Sequence, residues 1–156
     1  MKMSPISGKS YLPISPEAGG AREALKWYVA NFGAKVKSAY DKDGKVIHAE
    51  FEIGNSGFMC SDAFPGYSKS PKDLGGCPIT MFIEYKSGSK EVYDLAIKNG
   101  AKVPEGREYK EQPWGWNAGS VEDPFGYTWT IGEDAKHWSD ADLSDAMKTK
   151  NIASEF

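Results

Sequence analysis

The chain carries two copies of one pattern. Asn31-Phe32-Gly33-Ala34-Lys35-Val36 resembles Asn99-Gly100-Ala101-Lys102-Val103, and the shared Gly-Ala-Lys-Val recurs at an offset of 67. A repeat of this length marks a structural unit built twice. In both copies the Gly-Ala pair ends a helical pattern. Ala21, Ala24, Leu25, Tyr28, Val29 and Phe32 recur at steps of three and four, which predicts one apolar helix face. Val92, Leu95 and Ala96 stand at the positions of Leu25, Tyr28 and Val29 under the same offset. Gly33 and Gly100 fall where a helix end favours a residue tolerant of positive φ. Ser15-Pro16-Glu17 supplies a start signal for the first helix, with Ser15 as N-cap and Pro16 in the first turn.

The flanks repeat as well. Tyr11–Ser15 and Ile79–Tyr85 read as strands before the two helices. After the first helix come strands at Ala34–Tyr40, Val46–Ile53 and Gly57–Asp62, separated by Asp41-Lys42-Asp43-Gly44 and Gly54-Asn55-Ser56-Gly57. After the second come Lys102–Tyr109, Asn117–Glu122 and Tyr127–Ile131, the last two joined by the turn signal Asp123-Pro124-Phe125-Gly126. Each half therefore reads β-α-β-β-β, an α+β chain of two βαβββ modules at 10–63 and 79–132. Residues 64–78, rich in Pro, Gly and Ser, form the linker. Residues 1–9 read as a disordered lead-in without the apolar core of a signal peptide, and 133–156 as a polar tail. In that tail Leu143, Met147 and Ile152 make a weak helical face, and the final Glu-Phe has the look of a cloning scar.

At 156 residues the length suits one compact domain or two small halves sharing a core. A hydrophobic content of 40% is too high for a disordered chain. A net charge of -3 leaves no basic footprint, so nucleic acid is not the expected partner. No apolar stretch approaches the ~20 residues of a membrane span. Two cysteines, Cys60 and Cys77, make neither a disulfide framework nor a zinc pair, so a reduced cytoplasmic protein is expected, with a single bridge between them as the alternative. No Ser-His-Asp order, phosphate loop or nucleotide fingerprint appears.

Five segments carry a resemblance: His48-Ala49-Glu50-Phe51, Ser61-Asp62-Ala63-Phe64-Pro65-Gly66, Ala96-Ile97-Lys98-Asn99-Gly100-Ala101, Trp114-Gly115-Trp116-Asn117-Ala118-Gly119 and Asp123-Pro124-Phe125-Gly126-Tyr127-Thr128-Trp129. In order and spacing over residues 10–132 the chain resembles the vicinal oxygen chelate superfamily, and within it the PhnB-like branch. That superfamily includes glyoxalase I, the bleomycin- and fosfomycin-resistance proteins and the extradiol dioxygenases. The resemblance implies a glyoxalase/bleomycin-resistance-type open barrel, with helices on the convex sheet faces and a small-molecule pocket on the concave ones. It also implies a homodimer, which would protect exposed sheet edges.

Strand alternation then sorts residues by face. On Val46–Ile53, the apolar Ile47, Ala49, Phe51 and Ile53 are expected under a helix, leaving His48, Glu50 and Glu52 on the concave side. His48 and Glu50 are the candidate catalytic pair: they could relay a proton, bind a metal or hold a cationic ligand. The bland alternative is a hydrogen-bonded sheet histidine beside solvated carboxylates. Metal-dependent relatives place ligands on the first and last strands of each half. Here the first strand has none, the fourth offers Cys60 and Asp62, the fifth Glu84, and the last carries Thr130 where the ligand glutamate would stand. The inherited metal site therefore reads as eroded, a divalent cofactor stays an open question, and no residue is assigned as a metal ligand. Cys60, Asp62, Glu84 and Thr130 join Trp114, Trp116 and Asn117 as candidate ligand-binding residues. The two tryptophans either stack a flat ligand or pack halves or subunits together. Cys60 has no adjacent base in the sequence, so a nucleophilic role is not expected.

Two functions follow from the resemblance. One is a glyoxalase-like lyase or isomerase acting on a small oxygenated substrate through His48 and Glu50. The other is a metal-free small-molecule binder of the bleomycin-resistance type that sequesters its ligand.

Overall fold

The computed structural model describes residues 7–155; the start of the expected lead-in and Phe156 of the terminal Glu-Phe lie outside the described residues. The chain divides into two units. One comprises the chain up to Ile79 together with Asp123–Tyr127, the other Thr80–Glu122 and Thr128 onward.

The first unit is a four-stranded mixed sheet with one helix on it. Its strands are β1 (Ser10–Ile14), β2 (Lys35–Lys42), β3 (Lys45–Ile53) and β4 (Ser56–Asp62), and its helix is α1 (Gly20–Phe32). The strand order is β1-β4-β3-β2, with β1 parallel to β4 and the other pairs antiparallel. Ala21, Ala24, Leu25, Tyr28 and Phe32 on α1 are buried against Leu12, Ile14, Ala49, Phe51, Phe58 and Cys60 of the sheet. The rings of Tyr28 and Phe51 stack at 5.4 Å, and those of Phe51 and Phe58 at 5.3 Å. The expected linker holds a single-turn helix, α2 (Pro71–Leu74), started by a reciprocal capping box between Ser70 and Asp73.

The start of α1 differs from the sequence reading. Ser15 makes no side-chain cap, and Pro16–Ala18 forms a separate 3-10 turn before Gly19 at φ 101°. The cap comes from the neighbouring strand: Asp62, paired with Ile14 at the end of β4, accepts from Ala21 N at 2.7 Å. Gly20 is obligatory here, because a Cβ would lie 2.5 Å from Asp62 Oδ1.

The alternation on β3 is also broken. Val46 is buried and Ile47 exposed, the reverse of the expectation. The register explains it. Tyr40 pairs with His48 and Asp41 with Val46, so Ile47 is the extra residue of a β-bulge. From His48 onward the expected faces hold, with Ala49, Phe51 and Ile53 buried.

The second unit repeats this plan with β5 (Thr80–Glu84), α3 (Ser89–Lys98), β6 (Lys110–Glu111), β7 (Trp116–Glu122) and β8 (Thr128–Asp134), in the order β5-β8-β7-β6. The expected strand Lys102–Tyr109 reduces to a bridge between Lys102 and Glu122, and the strand proper is the two residues of β6. Pro104 and Gly106 interrupt the ladder. On α3 the buried residues are Ser89, Tyr93 and Ala96, while Leu95 is exposed. These match Ala21, Leu25 and Tyr28 at an offset of 68, one more than the Gly-Ala-Lys-Val copies. The helix cap repeats too: Glu133 on β8 accepts from Ser89 N at 3.0 Å. In the expected tail, β8 runs on to Asp134 and α4 (Asp140–Met147) begins with a Ser139–Asp142 capping box.

Candidate functional site

Each sheet has one face under its helix and one open face. The open face of the first sheet is ordered in rows by its register. Pro13, Ser61, His48 and Tyr40 form one row, and Tyr11, Met59, Glu50 and Ser38 the next. His48 lies against two aromatic rings, Tyr11 at 6.0 Å and Tyr40 at 6.5 Å, the latter stacked. Its Nε2 is 3.7 Å from Glu50 Oε1, too long for a direct hydrogen bond and close enough for one in a tightened or bridged state.

The other oxygen of Glu50 is held by Lys9, whose Nζ donates to Oε2 at 2.5 Å. Lys9 reaches it by lying over Gly57, where a Cβ would meet the lysine chain at 3.2 Å. The Lys9 hydrogen bond, and then its charge, hold the Glu50 carboxyl below its ordinary pKa, with a smaller contribution from His48. The result is an exposed Lys-Glu-His chain on a bed of tyrosines. Lys9 was assigned to the lead-in on sequence, and Tyr11 and Tyr40 carried no motif. Tyr11 was nevertheless legible by alternation, since Leu12 beside it faces the core.

Cys60 and Asp62 face the other way. Both are buried on the helix side of β4. Burial pushes the Cys60 thiol up to about 12, with the Asp62 charge adding to the shift. Asp62 spends both carboxylate oxygens on backbone, Oδ1 on Ala21 N and Oδ2 on Val46 N at 2.9 Å.

On the second sheet Glu84, Trp116 and Thr130 share the open face with Phe82 and Ser120. Phe82 and Trp116 meet edge to face at 5.2 Å, and Ser120 and Thr130 share a hydrogen bond at 2.8 Å. Phe82 is half exposed. Asn117 belongs to the opposite face. It pairs with Glu133, which caps α3, and Gly119 two residues on packs against Tyr93 of that helix. Trp114 is exposed, one residue before the turn at Gly115.

No family model matches the chain. An uncharacterised protein of Mycobacterium bovis is 31% identical over 135 residues, covering 83% of this chain and 87% of that protein. The PhnB protein of Bacillus cereus has the same fold, with a TM-score of 0.63, 18% identity, and coverage of 81% of this chain and 98% of that one. The fosfomycin resistance protein FosX of Listeria monocytogenes, solved with Mn(II) and sulfate, shares it at a TM-score of 0.61 and 7% identity, covering 90% of this chain and 98% of that one. Two βαβββ units with parallel first and last strands are the fold shared with these solved structures. The chain belongs to one family with the mycobacterial protein and has the fold of the PhnB protein and FosX.

A divalent metal is the cofactor that the resemblance to the vicinal oxygen chelate superfamily implies, and the residues present do not fit one. Among the described residues no group of three or more His, Cys, Asp or Glu side chains comes together that could hold a metal. Asp62 is turned to the helix, Thr130 is a poor donor bonded to Ser120, and Glu50 already carries the Lys9 ammonium. No helix among the described residues is long and apolar enough to cross a membrane.

Proposed function

We propose that this chain is a metal-independent small-molecule-binding protein of the bleomycin-resistance type, whose ligand lies on the open face of the first sheet at His48 and Glu50. One observation carries the reading. Beside the His48 imidazole, the Glu50 carboxylate already holds a cation of the chain itself, the Lys9 ammonium. A flat ligand would lie against the Tyr11 and Tyr40 rings, accept or donate at the imidazole and donate to Glu50 Oε1. On the second sheet, taken by itself, Phe82 and Trp116 with Thr130 and Glu84 beside them form a separate candidate contact surface. In this reading the protein works in the reducing cytoplasm as a homodimer.

A second reading is a lyase or isomerase acting on a small oxygenated substrate. The 3.7 Å approach of His48 Nε2 to Glu50 Oε1 favours it, since a base oriented by a carboxylate can move a proton. The deciding experiment is metal analysis of untagged protein purified without chelator, followed by a ligand screen read by tryptophan fluorescence. No metal taken up, and ligand affinity weakened in His48→Ala, supports the binding protein. Stoichiometric metal lost in His48→Ala or Glu50→Ala overturns it. Turnover abolished in His48→Ala without metal installs the enzyme.

A further inference from the structure

The opposite face of the first sheet holds a groove that shares Tyr40 with the His48 site and is otherwise lined by different residues. It runs between α1 and the edge strand β2, with a volume of about 450 Å³. That falls within the ~300–1,000 Å³ of small-molecule sites. One wall is a helical stripe at i, i+4 and i+7: Arg22, Lys26 and Val29. The floor is Val36, Ala39 and Val46.

Two β-bulges build this floor. Val36 pairs with Phe51 and Ser38 with Glu50, which leaves Lys37 as an extra residue in β2. The shift turns Ala39 to the helix side, opposite Ala49. The second bulge, at Ile47, brings Val46 to the same side, opposite Asp41. Without the bulges the floor would present a different set of side chains. Val29 and Val36, 46% and 43% exposed, face solvent across the opening.

The ends are not alike. Arg22 and Lys26 stand on the helix wall, and the one carboxylate lining the groove, Asp41, is bonded to Arg22 Nη2 at 2.6 Å. A guanidinium has five N–H donors, so Arg22 can keep Asp41 and still take an anionic oxygen. Lys26, bonded to Glu23 at 2.7 Å, has further ammonium donors. The β2 edge itself, with Lys35, Lys37 and Lys42 along it, is poorly suited to pairing with another strand. An apolar trough with a cationic rim suits a small amphipathic anion.

We propose that this groove is a second ligand site, taking a molecule with an apolar chain or ring and a carboxylate head held by Arg22 and Lys26. The probe is decanoate, with decylammonium as its charge-reversed counterpart, titrated calorimetrically into the full chain below the micelle concentration. Saturable binding of decanoate and none of decylammonium is expected. Arg22→Gln, an exposed change that leaves the core intact, should weaken decanoate about tenfold, the worth of one charge-assisted hydrogen bond. Ala39→Leu should fill the floor and abolish binding with the circular dichroism spectrum unchanged. His48→Ala should leave decanoate affinity unaltered, which separates this site from the one proposed above. The proposal is overturned if decanoate does not saturate, if decylammonium binds equally, or if Arg22→Gln binds as the parent does. It is also overturned if sedimentation shows that Ala39→Leu dissociates a dimer without changing decanoate affinity, which would make the groove an interface.

Discussion

Asp62, the last residue of β4, holds the first turn of α1 through the backbone amide of Ala21, and its second oxygen holds Val46 N across the sheet. One buried carboxylate thus ties a helix start to two strands. A helix N-terminus favours such an anion through its unpaired N–H groups and its dipole. The second unit has the same device in Glu133 and Ser89. The superfamily resemblance marks the last strand of each half as a place for ligand carboxylates. In this chain those strands lend acids to helix capping.

Asp62→Ala strands two buried N–H donors. Each costs ~1–3 kcal/mol, so the substitution should destabilise the chain by about 3 kcal/mol in urea unfolding. Asp62→Asn keeps one acceptor and should lose less. A loss under about 0.5 kcal/mol for the alanine variant would show that the tie carries no weight. His48-dependent ligand binding should survive in the folded fraction of both variants, since Asp62 faces away from His48.

The two thiols should separate cleanly. Both cysteines are free. Cys60 is fully buried and its thiol is raised to about 12. At pH 8 its thiolate fraction is then about one in ten thousand, and access is closed as well. A chromogenic disulfide reagent should titrate Cys77 quickly and Cys60 only after unfolding. The shift also has a stability consequence. A folded-state pKa above the unfolded one means stability is fully present below about pH 9 and falls as pH rises beyond it.

Tyr28 donates to Asp123 Oδ2 at 2.8 Å, and Asp123 Oδ1 accepts from the amides of Phe125 and Tyr127 at 2.9 Å. The Asp-Pro-Phe-Gly-Tyr turn is therefore organised around a carboxylate that also receives a helix tyrosine. Burial, reinforced by the Asp123 charge, raises the Tyr28 phenol well above its ordinary value. Ultraviolet titration should find this tyrosine un-ionised at pH values where exposed tyrosines have ionised. Tyr28→Phe should cost ~1.5–3 kcal/mol, the range for a hydrogen bond to a charged group, and should shrink the late step by one tyrosine, leaving Tyr127, whose phenol burial also raises.

The repeat made the two-unit plan legible, because Gly-Ala-Lys-Val fixes both helix ends and the turn signals fix most strands. Lys102–Tyr109 stands where the repeat calls for a counterpart of Ala34–Tyr40, but Pro104 and Gly106 deny it a ladder. The faces were legible wherever register was regular. His48 and Glu50 fall on the open face as alternation predicts. Ile47 and Val46 did not, because a bulge is a property of the pairing and leaves no mark on one strand read alone. Cys60 and Asp62 were drawn towards the site by family position, although Cys60 lies two residues from Phe58 on the same buried face. Lys9 was invisible for a different reason: its role depends on Gly57, nearly fifty residues away, having no side chain.

That last contact gives a test of the open face that needs no ligand. The three atoms nearest to a Cβ added at Gly57 all belong to the flexible stem of Lys9, at 3.2 to 3.4 Å, so Gly57→Val should fold while displacing the ammonium from Glu50. Lys9 is the largest influence holding the Glu50 carboxyl down. Both Gly57→Val and Lys9→Ala should therefore raise its pKa towards the ordinary glutamate value, followed by carboxyl carbon NMR. The sign follows from the charge: an ammonium stabilises the carboxylate, and removing it makes protonation easier. Because the pair is exposed, its contribution to stability should be small and screened by salt. An unmoved Glu50 titration in both variants would mean that Lys9 is a passing contact. The metal-independent reading of the site would then lose its support. A raised titration together with new affinity for Mn(II) would identify Lys9 as the group that keeps a divalent cation off Glu50.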